Sequence, residues 1–162
     1  MSGFIEIQHD EWVAASVDTV LAHYVDLHHR ESARVHPREH LRQREHGPIG
    51  PRFECRAHSG WWSSGIDLYV RHERLDGSVL DQCMAGPHWG RSIIARFWPN
   101  NDGARTGTLL ELTLTQPLRP FLGRILGRWL RARFEAELRE FAQEIRVDIE
   151  RGYVPGRRLR VA

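Results

Sequence analysis

Residues 121–150 read FLGRILGRWLRARFEAELREFAQEIRVDIE. Leu122, Ile125, Leu126, Trp129, Leu130, Phe134, Leu138, Phe141 and Ile145 recur in it at three- and four-residue steps, which puts them on one stripe of a helix. Arg124, Arg128, Arg131, Arg133, Glu135 and Arg139 fill much of the rest. The spacing predicts an amphipathic helix of about 25–30 residues, long by globular standards. Pro117 and Pro120 precede it, and Gly152 and Pro155 follow it, which sets both ends. Gly123 and Gly127 weaken its first turns or allow a close approach to whatever it packs on. An apolar stripe of this length has to be covered, so the fold depends on the surface the preceding residues can offer.

Those residues change period. Turn signals recur at Gly47-Pro48, Gly50-Pro51, Ser59-Gly60, Asp76-Gly77, Gly86-Pro87 and Asn100-Asn101-Asp102-Gly103. Strand-like runs lie between them: Arg52 to His58, Ile66 to Arg71, Val79 to Ala85, Ser92 to Trp98 and Thr108 to Thr115. In the last of these Leu110, Leu112 and Leu114 oppose Leu109, Glu111 and Thr113. Short links between strands imply antiparallel pairing, in a meander of about six strands. Upstream, Phe4 to His9 reads as one more strand. Ser16 reads as the N-cap of a short helix carrying Val17, Val20, Leu21, Tyr24 and Val25, and Glu31 to His36 as a second short helix closed by Pro37. The predicted class is therefore α+β. A curved antiparallel sheet of about seven strands wraps a long C-terminal helix, the helix-grip arrangement, with two short helices after the first strand. One helix cannot fill the concave face of such a sheet, so an apolar cavity with a few polar groups is expected.

The chain of 162 residues is long enough for one such core, and no repeat or linker divides it. We assign residues 1–155 to a single domain and 156–162 to a basic tail around Arg157-Arg158-Leu159-Arg160. A net charge of +2, from 23 basic and 21 acidic residues, argues against nucleic acid as a partner. Cys55 and Cys83 give no CxxC spacing and no disulfide framework, which fits a reducing cytoplasm. No run approaches the roughly 18 apolar residues of a membrane span. Met1-Ser2-Gly3-Phe4 shows no leader pattern.

The opening Val13-Ala14-Ala15-Ser16-Val17-Asp18-Thr19-Val20, the His36-Pro37 pair, the meander and the final helix together resemble the SRPBCC superfamily. It holds START lipid-transfer domains, pollen-allergen-like proteins and polyketide cyclases. The resemblance covers nearly the whole chain and implies a hydrophobic or aromatic small molecule as ligand, with cyclase-like chemistry as one outcome. Trp61, Trp62, Tyr69 and Trp89 are candidate lining residues, as are Phe97, Trp98, Trp129 and Phe134. In Pro87-His88-Trp89-Gly90, His88 is placed to act as a general acid or base at a cavity mouth.

Six of the ten histidines fall between His23 and His46. Asp26-Leu27-His28-His29, followed by His36, resembles the ligand segment in the catalytic domain of Rieske-type non-heme iron oxygenases, and residues 143–155 resemble the end of that domain's last helix. The resemblance implies that His29, His36 and Glu144 hold Fe(II) or another transition metal, with Asp26 supporting them. Two imidazoles and one carboxylate leave positions open for oxygen and substrate. No Rieske cluster motif is present, so this reading needs an external electron donor. Three functions follow from the sequence: a small-molecule binder or cyclase-like enzyme, an iron oxygenase-like domain, and a non-catalytic interaction module with a filled core.

Overall fold

The computed structural model describes residues 3–31, 39–48, 50–57, 65–102, 105–118 and 120–156. Its elements are β1 (Gly3–Val13), α1 (Val17–Val25), α2 (Leu27–Arg30), β2 (Glu39–Gly47), β3 (Gly50–Ala57), β4 (Asp67–Glu73), β5 (Val79–Ala85), β6 (Ser92–Asp102), β7 (Arg105–Leu118) and α3 (Pro120–Glu150). The strands form one seven-stranded sheet in the order β1-β7-β6-β5-β4-β3-β2, with antiparallel pairing throughout. Only the β1–β7 pair joins strands distant in sequence. With the long α3 and two short helices after β1, this is the helix-grip fold.

The core follows from two periods meeting. Along β1, Ile5 and Ile7 are buried while Phe4 and Glu6 face out, and along β7 Leu110, Leu112 and Leu114 are buried. Ile7 sits opposite Leu114, so the two strands present one apolar face. Phe134, Leu138, Ala142, Ile145 and Ile149 on α3 pack onto that face. Each large apolar side chain buried this way contributes about 1.5–3 kcal/mol. A second, smaller cluster of Leu27, Leu41, Phe53, Tyr69 and Cys83 lies at the β2–β5 end.

Ser16 caps α1, its Oγ accepting from the Thr19 N–H at 3.3 Å. Asp26 then ends α1 and caps α2 in turn, its Oδ1 accepting from the His29 N–H at 2.9 Å. That second cap places a short helix at Leu27–Arg30, while residues 32–36 of the helix expected at Glu31 to His36 lie outside the described residues. His36 and Pro37 lie outside the described residues, as do Trp61, Trp62 and residues 157–162.

β4 turns an unusual row inward. Asp67, Tyr69 and Arg71 are buried, while Ile66 just before the strand is exposed. The β4–β5 ladder also steps: Leu68 pairs with Ala85 and Tyr69 with Cys83, leaving Met84 as a bulge. Gly50 fixes the start of β3. Its φ is +149°, and a Cβ there would lie 2.1 Å from the Arg71 carbonyl oxygen.

Candidate functional site

α3 packs closely on β1 and β7 and stands farther from β3–β6, which leaves a space between helix and sheet there. A cavity of about 320 Å³ occupies that space. Phe53, Tyr69, Ile93 and Leu114 line it from the sheet, and Leu138 and Phe141 from α3. Tyr24, Arg30, Asp67, Asp81, Arg91 and Glu144 add polar atoms to the wall.

The polar floor is a closed network. Arg71 donates from Nε to Asp81 Oδ1 and from Nη2 to Asp81 Oδ2, both at 2.7 Å. The Tyr24 hydroxyl donates to the same Oδ2 at 3.1 Å. Arg71 and Arg30 each donate from Nη1 to the Tyr24 carbonyl oxygen at 2.8 Å. Their guanidinium carbons lie 4.9 and 5.1 Å from the Tyr24 ring centre. Burial, aided by the Asp81 charge, pushes the Tyr24 hydroxyl far above the ordinary tyrosine value, so it remains a donor. Phe53 and Tyr69 stack beside this network with centroids 5.3 Å apart.

Asp67, in the wall, holds the imidazole of His88, which is not itself among the lining residues. Gly86, at φ +114°, opens a turn that brings His88 back over β4, and a Cβ on Gly86 would lie 2.5 Å from Asp67 Oδ1. The His88 N–H donates to Asp67 Oδ1 at 2.9 Å, and His88 Nδ1 lies 2.6 Å from Oδ2. Burial alone would push the Asp67 carboxyl up, but the two hydrogen bonds from His88 outweigh it and hold the group below its usual value. A carboxylate on Nδ1 favours the tautomer with its proton there, which leaves Nε2 as the basic atom. The ring meets Phe134 edge to face at 6.3 Å. Arg91, also buried, lies 4.6 Å above Phe134 and donates from Nε to Gln116 Oε1 at 2.9 Å.

A second cluster lies where α1, α2 and the end of α3 meet. His23 Nε2 and His29 Nε2 lie 2.7 and 2.6 Å from the same oxygen, Asp148 Oδ2. Burial would raise the Asp148 carboxyl, but its bonds to the two imidazoles hold it below its ordinary value. The Tyr153 ring packs edgewise on both imidazoles at 4.7 Å, and its hydroxyl donates to Asp26 Oδ2 at 3.1 Å. Burial and then the Asp26 charge raise the Tyr153 hydroxyl well above its ordinary value, which keeps that donor protonated.

The residues singled out from sequence are therefore scattered. Tyr69 and Glu144 line the cavity. Phe134 is core beneath His88 and Arg91, and Phe97 packs on Tyr24 with centroids 5.7 Å apart. Trp89, Trp98 and Trp129 are 71%, 51% and 54% exposed and are not among the cavity-lining residues. Alternation explains Trp98, since its neighbour Phe97 points inward. Asp26 caps α2 and supports Tyr153. His29 converges with His23 and Asp148. His36 is outside the described residues, and Glu144 sits one turn before Asp148 on α3. Reading the sequence for apolar and histidine-rich patterns passed over Arg30, Asp67, Arg71, Asp81 and Arg91. One signal was present: Arg71 and Asp81 are placed symmetrically about Asp76-Gly77, the turn joining their strands.

By sequence the chain matches no family model and no curated protein. Its structure is similar to several solved ones. A START superfamily protein from Mycobacterium smegmatis superposes with a TM-score of 0.74 at 16% identity, over 92% of this chain and 99% of that one. Norcoclaurine synthase from Thalictrum flavum, in complex with dopamine and hydroxybenzaldehyde, gives 0.72 at 13% identity over 94% and 90%. The Zhui aromatase/cyclase from Streptomyces sp. R1128 gives 0.63 at 17% identity over 95% and 99%. These likenesses give no support to the Rieske-type resemblance. Among the described residues no helix is long and apolar enough to cross a membrane. At such identities the likeness is one of fold, and the fold is that of START-like and aromatase/cyclase proteins.

Proposed function

We propose that the chain encloses a small aromatic molecule in the cavity between the sheet and α3 and acts on it by proton transfer at His88, in a cyclase-like reaction. The observation that carries this reading is Asp67, which lines the cavity and grips His88 by two hydrogen bonds. A carboxylate that orients an imidazole leaves Nε2 as a general base and then a general acid. The volume of about 320 Å³ is at the lower end of the roughly 300–1,000 Å³ found for small-molecule sites, which favours a compound of few rings. The apolar lining supplies affinity, and the buried Tyr24, Arg30, Asp81 and Arg91 supply orientation. Two of the structural neighbours, an aromatase/cyclase and a synthase holding two aromatic compounds, agree with such a ligand. A void of this size also weighs against an interaction module whose core is filled by its own side chains.

The test uses 8-anilinonaphthalene-1-sulfonate as the probe. The folded chain should bind it with one-to-one stoichiometry and blue-shifted emission. Ile93→Trp, which fills the cavity, should abolish binding with the circular dichroism spectrum unchanged. With a reactive polyketone substrate, His88→Ala should retain binding and lose most turnover. Equal dye binding by wild type and Ile93→Trp would refute the cavity as the site. Unchanged turnover in His88→Ala would refute the role of the imidazole.

A further inference from the structure

We propose that His23, His29 and Asp148 form a binding site for one divalent transition-metal ion of the Zn²⁺, Co²⁺ or Fe²⁺ kind, separate from the cavity chemistry at His88. Each of the three residues offers a ligand atom, and these atoms lie within 4.8 Å of one another. The adjacent helices α1 and α2 supply the two imidazoles, and the last turns of α3, distant in sequence, supply the carboxylate. Both Nε2 atoms already aim at one carboxylate oxygen. An ion takes imidazole nitrogen and carboxylate oxygen at about 2.0–2.2 Å, so ligand atoms around it stand a little over 3 Å apart. A rotation of the Asp148 carboxylate that opens its contacts to the two imidazoles by some tenths of an ångström makes that room. Two imidazoles and one carboxylate suit borderline metals better than Mg²⁺ or Ca²⁺, which prefer oxygen alone.

The surroundings hold the ligands in place. Tyr153 packs edgewise on both rings and is anchored through its hydroxyl to Asp26, while Asp26 also caps the helix that carries His29. Supports of this kind orient metal ligands from the layer behind them. His23 is fully buried, and the side chains of His29 and Asp148 are only 9% and 17% exposed. Three ligands leave at least one coordination position for water or another small group. Asp148 stands one turn beyond Glu144, a cavity-lining residue, so the ion would lie about 6 Å farther along the α3 axis than that wall.

The other use of the same groups is a hydrogen-bonded clamp joining three helices, and the experiment separates the two. Purified chain stripped with chelator is titrated with Co²⁺, with visible absorption and calorimetry as readouts. A real site takes one Co²⁺ per chain, gives ligand-field bands and raises the melting temperature. Asp148→Asn keeps an acceptor for the imidazoles, so it spares a clamp, yet it should cost at least roughly a hundredfold in Co²⁺ affinity, above the usual cost of losing a supporting group. His29→Gln should do the same, and Glu144→Gln should leave the affinity within about threefold of wild type. Absence of stoichiometric Co²⁺ binding by the folded wild type overturns the proposal, whatever the variants do. So does retention of the ion in Asp148→Asn with loss in Glu144→Gln.

Discussion

Arg71 and Asp81 face each other across the β4–β5 ladder and share two parallel hydrogen bonds of 2.7 Å, with their side chains 0% and 5% exposed. A buried pair of this kind is costly to break and cheap to replace whole, because the loss lies mainly in the charge left behind. Arg71→Met should lower stability by about 3–5 kcal/mol in urea unfolding. Arg71→Met with Asp81→Leu should recover more than half of that, less about 1–3 kcal/mol for the Tyr24 hydroxyl that loses its acceptor. A single-variant loss below about 1 kcal/mol would place the pair among weak surface bridges.

Asp67 predicts an acid limb in stability. Its carboxyl is held below 3.8 in the fold, chiefly by His88 hydrogen bonds that outweigh burial. The folded chain therefore binds fewer protons than the unfolded one in the window between the folded value and 3.8. The stabilisation is complete above the unfolded value and is lost as pH falls through the folded one. Denaturation midpoints taken downward from about pH 6 should fall more steeply for wild type than for Asp67→Asn. Parallel curves would contradict the assignment.

The two cysteines should differ in reactivity. Burial, with help from the Asp67 charge, pushes the Cys83 thiol up to about 12. At pH 8 that leaves about one molecule in ten thousand as thiolate, the reactive form. Cys55 is half-buried and lines the cavity. Iodoacetamide at pH 8, followed by peptide mass spectrometry, should label Cys55 well before Cys83 in native protein and both at similar rates in urea. A dye held in the cavity should slow the labelling of Cys55.

Gly50→Ala should cost about 1–3 kcal/mol from backbone strain at φ +149°, and more from the close approach to the Arg71 carbonyl oxygen. Thermal unfolding of the variant checks this. An unchanged melting temperature would mean that β3 can shift away from β4 at little cost.

The architecture was legible because it is written in periods. The three- and four-residue steps of α3, the alternation of Leu110, Leu112 and Leu114, and the Ser16 cap are local signals; the strand and the cap reappear as read, and the helical stripe is buried at Phe134, Leu138 and Ile145 while Ile125, Leu126 and Trp129 are exposed. β2 was hard to single out, since Leu41 is the one aliphatic residue among arginines, histidines and Gln43 in an edge strand. The site was less legible for a different reason. Its polar residues are Asp67, Arg71, Asp81 and Arg91, and a charged residue in a strand ordinarily signals the solvent face. Here each is buried because a partner from another element holds it, His88 of the β5–β6 turn for Asp67, the facing strand for Arg71 and Asp81, and Gln116 of β7 for Arg91, and single-strand periodicity carries no information about partners. Trp89, Trp98 and Trp129 show the converse: size marks a good core residue, yet these three are more than half exposed. For the histidines, sequence spacing gave no hint that His29 meets His23 and Asp148, since that needs the spatial meeting of α1 and α2 with α3.

The step in the β4–β5 ladder places its extra residue, Met84, on β5, so the inward row Asp67, Tyr69 and Arg71 of β4 runs on unbroken. A slip by one more position would exchange every inward side chain for its outward neighbour. Main-chain pairing therefore sets the shape of the enclosure, and the side chains decide only what it recognises. Descendants of this scaffold can be refitted for new guests by substitution at the wall, with the frame left standing.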